Sequence, residues 1–467
     1  MQPSRIVESG RADTGPRNGG IGMKAAVTLV VAMAVLLGGC SIFRGNGEKS
    51  RNKNRIPGER ISVLSYEGRL TADPRISDLK VTLPKPYENK GWPEAGGDLD
   101  HVMQHLELAR NPKIAWEAKI GKGSGGVERL IASPVIANGI VYTLDANNTV
   151  EARHASDGKR LWKTTLRKKG EKKESGIGGG VSYHDGVLYV TSGFGFVSAV
   201  DAKSGKEIWR KETGVPMRGA PTIADGRIFA LSYDNQLFAM TTSNGDIIWT
   251  HVGIAENAGL IGTASPAVVG DTVVVAFSSG ELFALRVENG QVIWTDTLSR
   301  TRVGLPTPLS SLNDVDGFPV VDRGEVFAIS QGGTMVAINL RTGERVWERN
   351  IGGTQTPWIA GDFIYLVTAD DELLCMSRRD GRIRWVRELP DYLNPEKRKR
   401  FVYWTGPVLA GDRLIVASSL GYAVSVSPYT GRLMSKIELP AENFIAPIVA
   451  DDTLYILSNN ADLLALR

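Results

Sequence analysis

At 467 residues, 42% apolar and 23% charged, the chain has an ordinary globular composition and enough length to bury a sizeable core. Its formal charge of +4 is small for that length, and its Lys and Arg residues are scattered rather than striped, which excludes the electrostatic footprint of a nucleic-acid-binding protein. Two cysteines exclude a disulfide-built scaffold.

The first element in chain order is a leader. Met23-Lys24 precedes an apolar run from Ala25 to Leu37, which ends in Leu37-Gly38-Gly39-Cys40. A short basic start, an apolar core and small residues before a boundary predict a secretory signal over residues 1–39. The run is shorter than the ~20 apolar residues that cross a bilayer as a helix. Residues 1–22 carry no targeting pattern, so Met23 offers itself as an alternative start. Leu-Gly-Gly-Cys resembles the lipobox of bacterial lipoproteins, which implies acylation of Cys40, and Ser41 after it resembles lipoproteins sorted to the outer membrane. With Cys40 acylated, Cys375 has no partner for an intramolecular disulfide.

Residues 40–57 follow as the lipidated cysteine and a polar tether with almost nothing to bury. Residues 58–112 read as an irregular N-terminal wrap rich in proline and glycine, with Ile61 to Leu64 as a short docking strand. His101 and His105 have the spacing of a metal pair on one helical turn, but no third ligand accompanies them, so no metal is expected. Gly121 to Gly126 contains G-x-G-x-x-G without the strand–turn–helix context a dinucleotide needs, and an inter-strand loop is expected instead.

From residue 113 onward the chain repeats itself. Gly205-Lys206-Glu207-Ile208-Trp209 recurs with variations as Gly158–Trp162, Gly245–Trp249, Gly290–Trp294, Gly343–Trp347 and Gly381–Trp385, and Gly431–Ser435 is a copy that has lost its tryptophan. Six residues before each glycine stands a small residue: Ala152, Ala199, Ala239, Ala284, Ala337, Cys375 and Ser425. Thirteen residues further upstream lies a Gly or Asp turn position, and five before that a proline in six of the seven copies. The intervening segments are short, alternating, and rich in β-branched and aromatic residues. Repeats of roughly 40–50 residues holding four strands each predict the blades of a β-propeller.

An eighth copy, from Pro447 to Arg467, holds three strands. The spare segment Ile114 to Ile120 carries Trp116 in the outer-strand position. Pairing it with Asp462–Leu466 would leave no open edge at the seam. The expectation is an all-β, eight-bladed propeller of four-stranded blades over residues 113–467, its ring closed by an N-terminal strand. Trp116, Trp162, Trp209, Trp249, Trp294, Trp347 and Trp385 are then blade-docking residues, each offering an indole N–H to a backbone carbonyl. The small residues are expected to make room where neighbouring blades pack. Cys375, in one of those slots, reads as a buried thiol.

No catalytic constellation stands out. The five histidines are dispersed, and the basic runs Arg167–Lys173 and Lys397–Arg400 read as solvated loop faces. The repeat resembles the pyrroloquinoline-quinone-dependent alcohol dehydrogenase propellers and their non-enzymatic relatives. The dehydrogenases use an adjacent cysteine pair, which this chain lacks, and neither enzyme activity nor a cofactor is expected.

Lipobox, tether, eight repeats and closure from the N-terminal side together are similar to the BamB family, the lipoproteins of the outer-membrane β-barrel assembly machinery. Leu312-Asn313-Asp314-Val315-Asp316-Gly317-Phe318-Pro319 resembles that family's Asp-Val-Asp-x-x-Pro loop. The resemblance implies that Asp314 and Asp316 help bind the periplasmic POTRA domains of the central barrel subunit, BamA. Taken locally, both are equally ordinary turn residues beside Gly317. Leu260 and Gly262 match a second contact loop of the family, but Ile261 stands where its arginine is expected, with Arg300 or Arg302 as candidates to replace it in space. The resemblance implies a scaffold anchored by lipid to the outer membrane and facing the periplasm, which assists insertion of β-barrel proteins. A quinoprotein dehydrogenase, a propeller with another envelope partner, and strand augmentation of unfolded outer-membrane proteins stay open as alternatives.

Overall fold

Each repeat alternates apolar residues with period two and places Gly, Asn or Asp at the reversals, so each folds into a meander of short antiparallel strands. The computed structural model describes residues 69–126, 128–167, 170, 176–255, 264–298, 314–394, 396–397 and 399–467. Among these residues the strands form eight four-stranded sheets and one separate two-stranded sheet. Blades 1 to 7 occupy residues 135–165, 179–212, 222–252, 267–297, 320–349, 358–388 and 404–438. Blade 8 combines Ile448–Ala450, Thr453–Leu457 and Asp462–Leu466 with the N-terminal strand Ile114–Lys119. The expected closure is therefore present, with Trp116 opposite Ala465 and Lys119 opposite Asp462. The first strand of each blade is buried and meets the first strands of neighbouring blades, so these strands line the inside of the ring.

The tryptophans fasten the ring in order. Trp116, in the strand that completes blade 8, donates its indole N–H to the Ala155 carbonyl of blade 1 at 2.9 Å. Trp162 reaches Ala202 of blade 2, Trp209 reaches Thr242 of blade 3, and Trp249 reaches Val287 of blade 4. Trp294, Trp347 and Trp385 continue the chain to Leu340, Arg378 and Pro428. Every acceptor lies three residues before the motif glycine of the next blade. That glycine has a left-handed backbone, as at Gly381 with φ +64°, and the incoming indole lies over it. A Cβ on Gly205 would sit 2.4 Å from the Trp162 ring. The glycine thus supplies both the left-handed turn and the floor of the indole seat.

The small residue six positions upstream lies, as expected, in the core between its own blade and the next: Ala152 clusters with Val181 and Leu188 of blade 2, and Cys375 with Leu409 and Leu414 of blade 7. Ala152, Ala199, Ala239, Ala284, Ala337 and Cys375 are the register partners of the tryptophans of their own blades, each just before a bulge. A large side chain there would meet both the indole across the strand pair and the packed face of the next blade.

Blade 7 has Ser435 opposite Ser425, so the joint to blade 8 lacks an indole. At the seam, Lys113 and Arg467 exchange backbone hydrogen bonds of 2.7 and 3.0 Å, and the Arg467 guanidinium donates to the same Ala155 carbonyl that Trp116 uses.

The wrap turns out to be ordered by the ring itself. Its backbone and side chains bind the innermost strands one blade after another. Asn89 meets Val449 and Asp451 of blade 8, and Trp92 exchanges two backbone bonds with Ile136 of blade 1. Pro93 accepts from Tyr183 of blade 2, Glu94 from Ile223 of blade 3, and Leu99 from Val268 of blade 4. Asp100 accepts from Val321 of blade 5, Gln104 from Trp358 of blade 6, and Leu106 pairs with Leu409 and Gly411 of blade 7. Residues 89–106 thus make one circuit of the inner ring. The Trp92 ring stacks on Trp358, 6.5 Å away, although blades 1 and 6 are three steps apart, so the pair bridges the channel. The wrap gains its structure from the carbonyls and amides that the short innermost strands leave unpaired.

Candidate functional site

Two blade-entry loops meet in a cluster of deeply buried charge. Blade 5 is entered through Asp314–Pro319, blade 3 through residues 213–221. Within the second loop the Arg218 backbone donates to Leu231 and accepts from Gly179, which fixes it between blades 2 and 3. Its guanidinium donates to Asp314 Oδ1 at 2.5 Å and to Asp316 Oδ1 at 3.0 Å. All three side chains are almost fully buried, at 1%, 1% and 8% exposure. Around them, Val315 is buried in the blade 4–5 core and the Asp314 carbonyl accepts from Gln331. Gly317 lies so close to the Gln355 carbonyl that a Cβ would approach it to 2.8 Å.

Two carboxylates on one buried cation cannot both ionise without strain on the site. Burial, and next the neighbouring Asp314 carboxylate, push Asp316 up to about 7 against the pull of Arg218. Burial opposes the charge on Arg218, but Asp314 and Asp316 outweigh it and hold its pKa above the ordinary value. The cluster has no nucleophile, and its chemistry is positional: it ties the entries of blades 3 and 5 together across blade 4.

Asp314 presents no surface to a partner and Asp316 very little; their carboxylates face inward to Arg218. For the arginine missing at Ile261, Arg300 and Arg302 are the suggested replacements. Those two, Leu260, Ile261, Gly262 and Cys40 all lie outside the described residues, as does the Ile61–Leu64 segment. Sequence reading missed Arg218, although a signal existed. Arg218 stands three residues before Pro221 and Asp316 three before Pro319, the same slot of the repeat. The other blades place Ile131, Gly178, Thr263, Thr354, Trp404 and Phe444 there, none of them charged.

The wrap braces this loop. His101, buried and held near 4 by desolvation, places Nδ1 2.8 Å from the Pro319 carbonyl and packs its ring at a tilt against Phe318. His105 sits elsewhere: Nδ1 meets the Pro84 carbonyl and Nε2 accepts from the Asp412 amide, so the Nδ1–H tautomer satisfies both. The two histidines share no helical turn, and the left-handed backbone at His101 and Gln104 rules one out. Gly121–Gly126 lies in a loop, as expected.

Comparison with known proteins places this geometry. The sequence model for "Outer membrane protein assembly factor BamB" matches residues 146–387, more than half of the chain. The chain belongs to the BamB family of outer-membrane protein assembly factors. Among its curated relatives, the BamB of Yersinia pestis is 28% identical over 368 residues, covering 78% of this chain and 91% of that protein. The BamB of Escherichia coli K12 is 28% identical over 355 residues, covering 75% and 88%. In structure, BamB from Moraxella catarrhalis superposes with a TM-score of 0.64 at 16% identity, covering 76% of this chain and all of that one. A quinohemoprotein alcohol dehydrogenase from Comamonas testosteroni reaches 0.63 at 14% identity, covering 84% and 82%; at that identity the likeness shows the fold alone.

The residues do not fit the quinone and calcium of such enzymes. Cys375 is fully buried opposite Trp385, with no adjacent cysteine in the sequence. Among the described residues no three His, Cys, Asp or Glu side chains converge as metal ligands. The channel is bridged by Trp92 and Trp358.

Proposed function

We propose that this chain is a non-enzymatic scaffold of the outer-membrane β-barrel assembly machinery, anchored by acylated Cys40 and facing the periplasm. It binds the POTRA domains of BamA with the rim formed by the blade-entry loops. The observation that carries the reading is the buried Arg218–Asp314–Asp316 cluster, at the loop that resembles the family's partner-binding segment. In this proposal the aspartates act as positioning residues: they fix the backbone around Asp314–Pro319, and the neighbouring loop residues, Leu260 among them, meet the partner. A rigid, pre-organised rim binds with less ordering entropy than a loose one.

Affinity capture from detergent-solubilised envelopes tests the assignment. BamA should co-purify with the native chain. If it never does, the assembly-factor reading fails; if it does so equally with a folded Asp316→Asn variant, only the positioning role fails.

A further inference from the structure

Between blades 6 and 7 the chain leaves the ring to form the separate two-stranded sheet. Tyr392–Asn394 pairs with Lys399–Phe401, Tyr392 opposite Phe401 and Asn394 opposite Lys399. Its base is held firmly. Val402 donates to the Asp391 carbonyl, Trp404 to the Pro390 carbonyl, and Tyr403 and Ser419 exchange two bonds of 2.9 Å. From there the side chains alternate. Val402 and Trp404 are buried in the core shared by blades 6 and 7, while Phe401 and Tyr403 stand 45% and 56% exposed.

The outward residues are not scattered. Tyr392, Phe401, Tyr403 and Phe444 form an unbroken row of ring contacts with centroids 5.6, 5.0 and 5.6 Å apart. Leu393 and Phe444 are 51% and 42% exposed. Isolated surface apolar residues need no explanation, but a contiguous aromatic row does. At its far end the sequence places Lys397, Arg398, Lys399 and Arg400 against Asp391 and Glu396, a local excess of two positive charges.

We infer that this hairpin is a membrane-contact element that rests its aromatic row in the interfacial zone of an anionic phospholipid surface. Two features select lipid over a protein groove. Lysine is depleted from protein–protein interface cores, whereas Lys and Arg stems beside Tyr and Phe rings are the pattern of side chains that straddle apolar and headgroup layers. Basic clusters at a membrane are also drawn to acidic headgroups. The inference does not rest on acylation of Cys40.

The test uses the chain from Ser41 onward, which contains the whole compact unit Leu70–Arg467 and none of the apolar leader. Co-flotation with phosphatidylethanolamine–phosphatidylglycerol vesicles is compared with pure phosphatidylcholine vesicles. Binding to the anionic vesicles is expected, weakening as salt rises. Lys397→Glu/Lys399→Glu/Arg400→Glu should weaken it on the order of a hundredfold. Phe401→Ser/Tyr403→Ser should abolish it while leaving the melting curve unchanged, since both side chains are exposed. The inference is overturned if the parent chain does not float with anionic vesicles, or if it floats equally well with both variants. It is also overturned if the hairpin variants lose capture of a purified protein partner while vesicle binding is intact.

Discussion

Substituting Gly381 by alanine perturbs one indole seat in two separable ways. Its φ of +64° places an L-residue in the left-handed region, which costs roughly 1–2 kcal/mol. The new Cβ would also lie 2.8 Å from Cε3 and 2.9 Å from Cδ2 of Trp347. Overpacking of that kind typically adds 1–3 kcal/mol. Trp347→Ala alone removes a buried ring and its 2.8 Å bond to the Arg378 carbonyl, for a loss of about 3–5 kcal/mol. In the double variant the ring is gone, so the overpacking against the indole vanishes and the backbone strain remains, with only a 3.0 Å approach to Arg349 Cγ beside it. The two substitutions should then fall short of additivity by about 1–3 kcal/mol. Gly324→Ala is the control: φ is +79°, but nothing lies within 4 Å of its Cβ, so only the backbone cost of about 1–2 kcal/mol should appear. Urea unfolding followed by far-UV circular dichroism reads the midpoints, with unchanged slopes as the condition for comparing them. Additivity within about 0.5 kcal/mol would refute the reasoning, because the glycine would then serve its φ alone.

Three further outcomes follow from the same structure. Trp92→Ala should destabilise the ring by about 3–5 kcal/mol, since it empties the stack on Trp358; a change under about 1 kcal/mol in urea would show that the wrap is peripheral. The raised pKa of Asp316 gives a signed pH dependence: its contribution to stability is full below the ordinary carboxyl range and is lost as pH rises through about 7. Because Asp316→Asn mimics the protonated form, its stability relative to the parent should improve between pH 5 and pH 8, and a shift in the opposite direction would contradict the burial argument. Cys375, whose thiol burial pushes up, should resist alkylation by iodoacetamide at neutral pH until urea unfolds the ring.

The fold was legible because a propeller writes its architecture once per blade. Trp, Gly and the small residue recur in register, and Trp116 displayed the closing strand far from the other copies. What could not be read was whatever occurs once. The circuit of residues 89–106 is built largely from backbone bonds to innermost strands, and such bonds impose no side-chain pattern. Arg218 lies 96 residues from Asp314, in a loop that looks unremarkable until the blades are placed in register. The family loop at Asp314–Pro319 was recognisable as a motif, but its orientation was not. Nothing in Asp-Val-Asp distinguishes a carboxylate facing a partner from one facing a buried guanidinium. The hairpin at Tyr392–Phe401 was half visible: its basic run was noted as a solvated face, while the aromatic row depends on Phe444, which only the fold brings alongside.

The central claim is that the Arg218–Asp314–Asp316 cluster holds the partner-binding rim in shape without touching the partner. Titrating the purified POTRA region of BamA onto the native chain, Arg218→Lys and Asp316→Asn measures it most directly. Lysine keeps the charge but cannot reproduce the two-carboxylate grip of the guanidinium. The account predicts that Arg218→Lys, still folded by circular dichroism, weakens binding at least tenfold, with a smaller loss for Asp316→Asn. Unchanged affinity in both folded variants would contradict it.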